Sequence, residues 1–492
     1  MKTTKMLGWL VNGLRNAVSG GLKFAAAFVC AAAMLPMAAL AGDAIWKGGA
    51  MGLLNDPDNW DGGTIGADVL NFPYDCVVTQ KEDVAVLCPF GSKGIQTAYK
   101  NRNIVFDMGG HALWATRVYS WNHSIQGNFG TTFTFTNGTF HTAAKDDYAT
   151  TNNLRTAGNT TDMKVIAIGE STTMAVGSFD FGAKTDLYIR NGAKSYGKDY
   201  IIRESDNKFL FDGGALVYGA KFIISAYAGS TNNTMLIRSG ATAMATADIL
   251  LGGLRIGDGN NNYKAYGAKG RVEVVGTGTS LTCGRELGIR NSTDDVANAH
   301  ELFVGDGATV SAGTSDNNGG MRLIGLGNKI VVSNATLTVK NLWINGSAYN
   351  YPANSTVYPA TNSTFHIVGA NANVTVNSLK GITSGDNAKI LGAPIFEFVI
   401  PEGGWSSAPF VIKQAFSISD DTRIRLDADA LKAFLKAGGG TVPLIATDSA
   451  SKAITADLTK IAADLPEGCK LKYESGVISV TAKQGGLIII FR

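Results

Sequence analysis

One short phrase returns along the middle of the chain and limits what the rest can become. It reads Leu187-Tyr-Ile-Arg-Asn-Gly-Ala193, then Phe209-Leu-Phe-Asp-Gly-Gly-Ala215, then Met235-Leu-Ile-Arg-Ser-Gly-Ala241. Looser copies follow at 272–276, 302–308, 330–335 and 365–370. Each is a brief alternation of apolar and outward residues, the period of a β-strand, stopped by Gly or Asn where the backbone turns. Aligned on Gly192, Gly214, Gly240, Gly276, Gly307, Asn334 and Gly369, the copies are spaced by 22, 26, 36, 31, 27 and 35 residues. A unit this short cannot bury its own inward side chains, so neighbours must stack.

The shortest spacing is close to one bare turn of a parallel β-helix, and the longer ones need loops inserted in the coil. Polar inserts stand at 258–262, 291–295, 314–320 and 349–362. A β-propeller needs about 40–50 residues per blade. Sandwich strands meet through tight hairpins, whereas here each Asn-Gly or Asp-Gly is followed by Ala and another short strand in the same direction. The pattern predicts an all-β, right-handed parallel β-helix (a solenoid) over residues 101–392. About ten coils at the strand spacing would make a rod on the order of 50 Å long. The polar stretch from Thr142 to Met163 reads as a surface loop.

The flanks differ in character. Residues 1–41 read as an export signal: Lys2, Lys5, Arg15 and Lys23 precede an apolar run from Phe24 to Leu40, and Ala39-Leu-Ala41 gives a small-x-small cleavage pattern. Their removal takes away four basic and no acidic groups, turning a net charge of +3 into −1. A nearly neutral chain has no broad electrostatic claim on nucleic acid or anionic lipid. No transmembrane segment is expected after the signal, and the apolar tail 485–492 is too short for one. Sixty glycines against 11 prolines, with 45% apolar residues, describe a turn-rich folded protein rather than a disordered one.

Residues 42–100 pair Trp46-Lys-Gly-Gly49 with Asn59-Trp60, then Gly62-Gly63 and a strand ending near Asn71-Phe72. This opening is similar to that of exported bacterial β-helix proteins related to autotransporter passenger domains and autotransporter-associated β-strand repeats. The resemblance implies an N-terminal cap on the first coil, a pectin-lyase-like fold and a place outside the cell or on its surface. Capping is also the physical reading, since bulky aromatics can cover an open end. Stacking of a sugar on Trp46 and Trp60 is the second reading of the same pair. Residues 393–492 form a C-terminal, mostly β capping domain. It contains one short helix, with Asp427 as N-cap, Leu431, Phe434 and Leu435 on one face and Gly438-Gly-Gly440 as stop. The Leu465-Pro-Glu-Gly468 turn before a final hairpin also resembles the C-terminal portion of that family.

Sites of chemistry are sparse. The acidic doublets Asp146-Asp147, Asp294-Asp295 and Asp420-Asp421 lie in turn contexts, and adjacent residues of a strand point to opposite faces. Arg203-Glu204, Arg271, Arg285-Glu286 and Arg290 supply charge without a catalytic pattern. His111, His123, His141, His300 and His366 share no metal-ligand spacing, so no metal is expected. No Gly-x-Ser-x-Gly occurs, isolated Gly-Asp-Gly at 257–259 and 305–307 lacks a nonapeptide repeat, and Gly252-Gly-Leu-Arg-Ile-Gly257 opens no helix, so no cofactor is expected. Cys76 and Cys88 flank a short strand–turn–strand segment, where export would permit a local disulfide; Cys283 and Cys469 read as free thiols on apolar strands. The expectation is a secreted or cell-surface structural or adhesion protein, non-catalytic, contacting an extracellular glycan or cell-surface component. The alternative is a polysaccharide-active enzyme, a pectate-lyase-like lyase or glycoside hydrolase, on the same fold.

Overall fold

The computed structural model describes residues 43–482 apart from 62–68, 87–94, 97–99, 116–118, 121–129, 143–153, 157–161, 182–183, 227–229, 253–267, 291–298, 345–361, 381–388, 391–392 and 439. The copies of the phrase are the strands Thr185–Arg190, Lys208–Asp212, Thr234–Arg238, Arg271–Val275, Glu301–Gly305, Lys329–Ser333 and Thr364–Val368. All seven aligning residues sit in the left-handed region, from φ +48° at Asn334 to +101° at Gly276. Gly and Asn are the residues that accept this conformation at least cost, which explains why they recur there.

These strands belong to one sheet of fourteen, running from Met51–Leu53 to Arg423–Leu426. Its pairings are all parallel, and parallel neighbours cannot be joined by a hairpin. The chain therefore travels round the back between consecutive strands, and the molecule is a parallel β-helix. In-register inward columns result: Val165, Leu187, Phe209, Met235, Val272 and Leu302 are stacked neighbours, and so are Ile189, Phe211, Ile237, Val274 and Val304 two residues on. Every one of them is fully buried.

The return path is a second parallel sheet whose strands bend midway. Thr173–Phe181, Lys194–Ile202, Leu216–Ile224 and Thr242–Leu251 each cross the bend unbroken. In the next rungs the same span splits into Ser280–Cys283 with Glu286–Arg290, then Thr309–Ala312 with Gly320–Ile324. Both halves keep register with Thr242–Leu251 below, and Thr336–Ile344 rejoins them above. The 314–320 insert thus sits at the bend, where extra residues leave the stacking intact.

A second turn column leads into the long sheet. Gly130, Asp162, Lys184, Asp206, Asn232, Lys269, Gly327 and Asn362 each stand one or two residues before a strand of the long sheet and have positive φ. Beside it runs an interior polar column. The amide NH of Asn207 donates to Asn233 Oδ1 at 3.0 Å, the NH of Gly270 to His300 Nδ1 at 3.0 Å, and the NH of His300 to Asn328 Oδ1 at 3.0 Å. Asn207, Asn233, His300 and Asn328 are buried, so these bonds satisfy groups that water cannot reach.

The array is longer than the sequence indicates. Stacking begins at Met51–Leu53, whose register continues through Cys76–Thr79, so much of 42–100 is rung rather than separate cap. At the other end Ile395–Val399 and Arg423–Leu426 extend the long sheet, and Phe410–Ile412 pairs in parallel with Ile445–Thr447. Residues 393–447 are therefore also coil. Fourteen strands at the strand spacing make the long sheet about 62 Å tall. The antiparallel hairpin Cys469–Glu474/Val477–Ala482 ends the second sheet. The α-helix Ala428–Lys436 is capped by Asp427 and buries Leu431 and Phe434, while a second short helix, Leu458–Ile461, was not legible in the sequence. The 142–163 stretch is not loop alone, because Leu154–Thr156 pairs in parallel on both sides.

Candidate functional site

The two tryptophans are interior. Trp46 is fully buried and Trp60 is 4% exposed, so neither indole offers a face to a sugar, and the stacking reading is corrected here. Their rings meet edge to face at 5.0 Å, and Phe72 lies 5.9 Å from Trp46 and 5.6 Å from Trp60. The indole NH of Trp46 donates to the Gly49 carbonyl and that of Trp60 to the Leu54 carbonyl. A Cβ on Gly48 or Gly52 would fall 2.6 or 2.9 Å from the Trp46 ring, which is why glycines surround it. The antiparallel pair Trp46↔Trp60 closes over the first rung.

Cys76 is a buried free thiol, pushed up to about 12 by burial and the nearby Asp75 carboxylate, and Cys88 lies outside the described residues. Cys283 and Cys469 are free, with Cys283 fully buried. The histidines are dispersed. His111 stands 3.7 Å from Asp83, His141 stacks on Trp114, His300 is in the interior column, and His366 Nδ1 is 2.6 Å from Glu397; His123 is outside the described residues. Asp420 pairs with Lys460 at 2.5 Å beside a turn, whereas Asp146-Asp147, Asp294-Asp295 and the Gly257–Gly259 triplet lie outside the described residues. Among the described residues no group of three or more His, Cys, Asp or Glu is placed to hold a metal ion.

Register turns the outward charges into ladders. Asp212 receives Arg238 at 3.1 Å and Arg190 at 3.5 Å from the rungs on either side. Burial pushes its carboxyl up, but the two guanidinium groups and Ser239 outweigh that and hold it below its ordinary value. Arg271 pairs with Glu273 at 2.9 Å in its own rung and Glu301 at 3.2 Å in the next, with its guanidinium 5.6 Å from the Phe303 ring. On the far half of the second sheet Arg285 binds Asp248, and Glu286 is held by Arg290 and by Arg322. Burial pushes Glu286 up, but Arg290 and Arg322 together bring it below the usual carboxylate range. Arg322 also covers the Trp343 ring at 4.5 Å. Arg285 and Glu286 therefore engage the rungs on either side, whereas Arg290 pairs with Glu286 within its own strand.

A depression of about 390 Å³ opens where the chain enters the long sheet, lined by Gly130, Asp162, Met163, Lys164, Lys184, Asp186 and Asp206. Asp162, Lys184 and Asp206 occupy the positive-φ corner of three consecutive rungs. Asp186 accepts from the Tyr188 hydroxyl at 2.7 Å and the Lys208 amide at 3.0 Å, and burial raises its carboxyl above the ordinary value.

The outer face of the second sheet carries a different column. Before the bend, Trp114, His141, Ala175, Tyr196, Tyr218, Met244, Thr282, Ser311, Thr338 and Thr375 are successive in-register neighbours pointing outward. Aromatic rings fill the lower part, with Trp114–His141 at 5.4 Å and 8° and Tyr196–Tyr218 at 5.5 Å and 6°. Hydroxyls fill the upper part. The parallel column two residues back holds Thr173, Lys194, Leu216, Thr242, Ser280, Thr309 and Thr336. Sequence reasoning missed this face because it aligned only the strands before each turn. Counting four residues past Gly192, Gly214, Gly240, Gly307 and Asn334 gives Tyr196, Tyr218, Met244, Ser311 and Thr338, which is the signal that finds it.

Comparison with protein-family models, with curated proteins and with solved structures finds no match for this chain.

Proposed function

We propose that this chain is an exported, non-catalytic structural or adhesion rod, of the kind found in autotransporter-like β-helix proteins, that contacts carbohydrate at a cell surface. The observation that carries the reading is the outward column from Tyr196 to Thr375, which repeats one aromatic or hydroxyl-bearing residue per rung at every rung but that of Met244. A surface with a fixed axial repeat suits a ligand with a repeat of its own, and flat polar faces bind without needing a converging catalytic set. The charged ladders support the same reading, since the carboxylates of Asp212, Asp248 and Glu286 are engaged by arginines rather than held free for acid–base work. Residues 1–41 support export on the sequence pattern described above. The test is a panel of acidic and neutral glycans scored for both retention and product release by the full chain. Retention without product supports the proposal, and retention of none overturns it.

One observation favours the alternative, a polysaccharide-active enzyme. Asp186 is a carboxyl with a raised proton affinity inside a depression lined by Asp162 and Asp206, and a glycoside hydrolase needs a protonated acid near a second carboxylate. Product release abolished by Asp186→Asn would decide for that reading.

A further inference from the structure

The upper half of the outward face on the second sheet is a two-dimensional array of hydroxyls. Each rung from Thr242 to Asn373 contributes an outward pair two residues apart, as in Ser280/Thr282, Thr309/Ser311 and Thr336/Thr338, around an apolar residue that points into the core. The lowest rung has Met244 in place of its second hydroxyl and the topmost has Asn373 in place of its first, so eight of the ten positions carry a hydroxyl and none carries a charge. The pairing runs through all five rungs without a shift of register. Rows of side chains therefore repeat about every 4.8 Å along the rod and stand about 6.6 Å apart across it, twice the rise per residue. Thr309 and Asn373 are exposed and the other eight half-buried, as members of a close array must be. Among the described residues these ten side chains hydrogen-bond only to one another, Ser280 Oγ to Thr242 Oγ1 at 3.3 Å and Thr375 Oγ1 to Asn373 Oδ1 at 3.1 Å. The array thus faces solvent with most of its donors and acceptors uncommitted.

We propose that this face binds ice, its hydroxyls standing in for oxygens of the first ordered water layer. Each hydroxyl offers a donor and two acceptor lone pairs, so it can take the place of a lattice water with one donor missing. The branched Cβ of threonine restricts χ1, so the array is ordered before it meets the solid and loses little entropy on contact. A charged group would hold a hydration shell oriented to itself, and none of the ten positions has one. A soluble ligand is caught by a pocket or by large anchoring side chains. A shallow, uncharged array of small hydroxyls offers neither, and is complementary instead to a solid with two repeats of its own. The oxygen rows on the prism faces of hexagonal ice have repeats close to both spacings of this face. The inference goes beyond the carbohydrate reading, uses only the hydroxyl-bearing half of the outward column, and does not depend on that reading.

The test grows ice slowly from a dilute solution of the full chain and measures how the protein divides between ice and liquid, with seed crystals watched for faceting in parallel. The wild type is expected to enrich in the ice and to shape the seeds. Thr309→Lys, at the exposed centre of the face, and Thr338→Lys, one rung above in the second column, each put a charge into the array and should abolish both effects. Thr134→Lys makes the same change of charge on the outer side of the long sheet, between Val105 and Ile166, and should leave both effects intact. Circular dichroism confirms that each variant is folded; Thr309 is exposed, so its variant serves if Thr338→Lys disturbs the strand. A wild type rejected from ice like an ordinary solute overturns the proposal, whatever the glycan panel shows. Enrichment that survives in folded Thr309→Lys and Thr338→Lys overturns it as well, because the ice would then be held elsewhere. Retention on a crystalline polysaccharide such as cellulose or chitin, lost in the same two variants and unaccompanied by any effect on ice, would assign the face to a solid glycan: the ice proposal falls and the carbohydrate reading stands.

Discussion

Phe211→Ala removes a ring from the middle of an inward column and tests whether the rungs share one core. Phe211 is fully buried and is surrounded by Tyr200, Phe209 and Phe222, with ring centroids 6.2, 6.4 and 6.2 Å away. The strands that carry those neighbours are fixed by ladder hydrogen bonds on both sides, so the site has little freedom to collapse onto the missing volume. A buried aromatic side chain takes roughly 150–250 Å² out of water, which at about 25 cal/mol per Å² is an upper figure near 4–6 kcal/mol. Measured Phe→Ala changes in tightly packed cores run at about 3–5 kcal/mol, and the expected loss here lies in that range. Thr338→Ala, on an outward column of the same β-helix, should change stability by about 0.5 kcal/mol or less. The assay is denaturant unfolding by circular dichroism, with amide exchange read strand by strand, because stacked repeats open locally as well as globally. Exchange should accelerate in Thr185–Arg190, Lys208–Asp212 and Thr234–Arg238 together. A loss below about 1 kcal/mol, or acceleration confined to the mutated strand, would refute a core shared between rungs.

Glycine positions should separate by what surrounds them. Gly240 has φ +78° and open space at its Cβ, so Gly240→Ala should cost only about 1–2 kcal/mol of backbone strain, whereas Gly320→Ala drives a Cβ to 1.9 Å from the Asn341 carbonyl oxygen and should cost more in parallel denaturant titrations. The Cys76 and Cys283 thiols, both raised by burial and both inside, should resist alkylation at neutral pH until the chain unfolds; peptide mapping should show the half-exposed Cys469 modified first. Asp212 and Glu286 have folded-state values below their unfolded ones, so their stabilisation is complete above the unfolded carboxylate range and is lost as pH falls through the folded values. Unfolding midpoints should therefore drop with acidification, and Glu286→Gln should flatten that slope.

Much of the interior was legible because it depends on local rules. A left-handed turn needs Gly or Asn, and an inward column needs alternate apolar residues, so Asn191-Gly192 and Leu187/Ile189 announce both. Asp427 and Gly438 marked the α-helix for equally local reasons. The extent of the array was not legible, since the end rungs dispense with the phrase. Cys76–Thr79 has no turn glycine after it, and Ile395–Val399 alternates weakly because Ile395 and Phe396 are both buried. Trp46 and Trp60 carried two readings that only burial could separate. The outward aromatic and hydroxyl column depends on register between strands 21 to 38 residues apart, which no single stretch displays.

The stacking itself is most directly tested by distances along one outward column. Thr173, Lys194, Leu216, Thr242, Ser280, Thr309, Thr336 and Asn373 are consecutive in-register neighbours. Nitroxide labels placed by cysteine substitution at Asn373 and, in turn, at Thr242, Lys194 and Thr173 should give backbone separations of about 19, 29 and 34 Å, rising by about 4.8 Å per rung. Pulsed electron–electron resonance reads that range. A linear rise with rung number, indifferent to how many residues each coil contains, is the predicted result. Distances that follow sequence separation instead, or that fail to rise from Thr242 to Thr173, would contradict the β-helix.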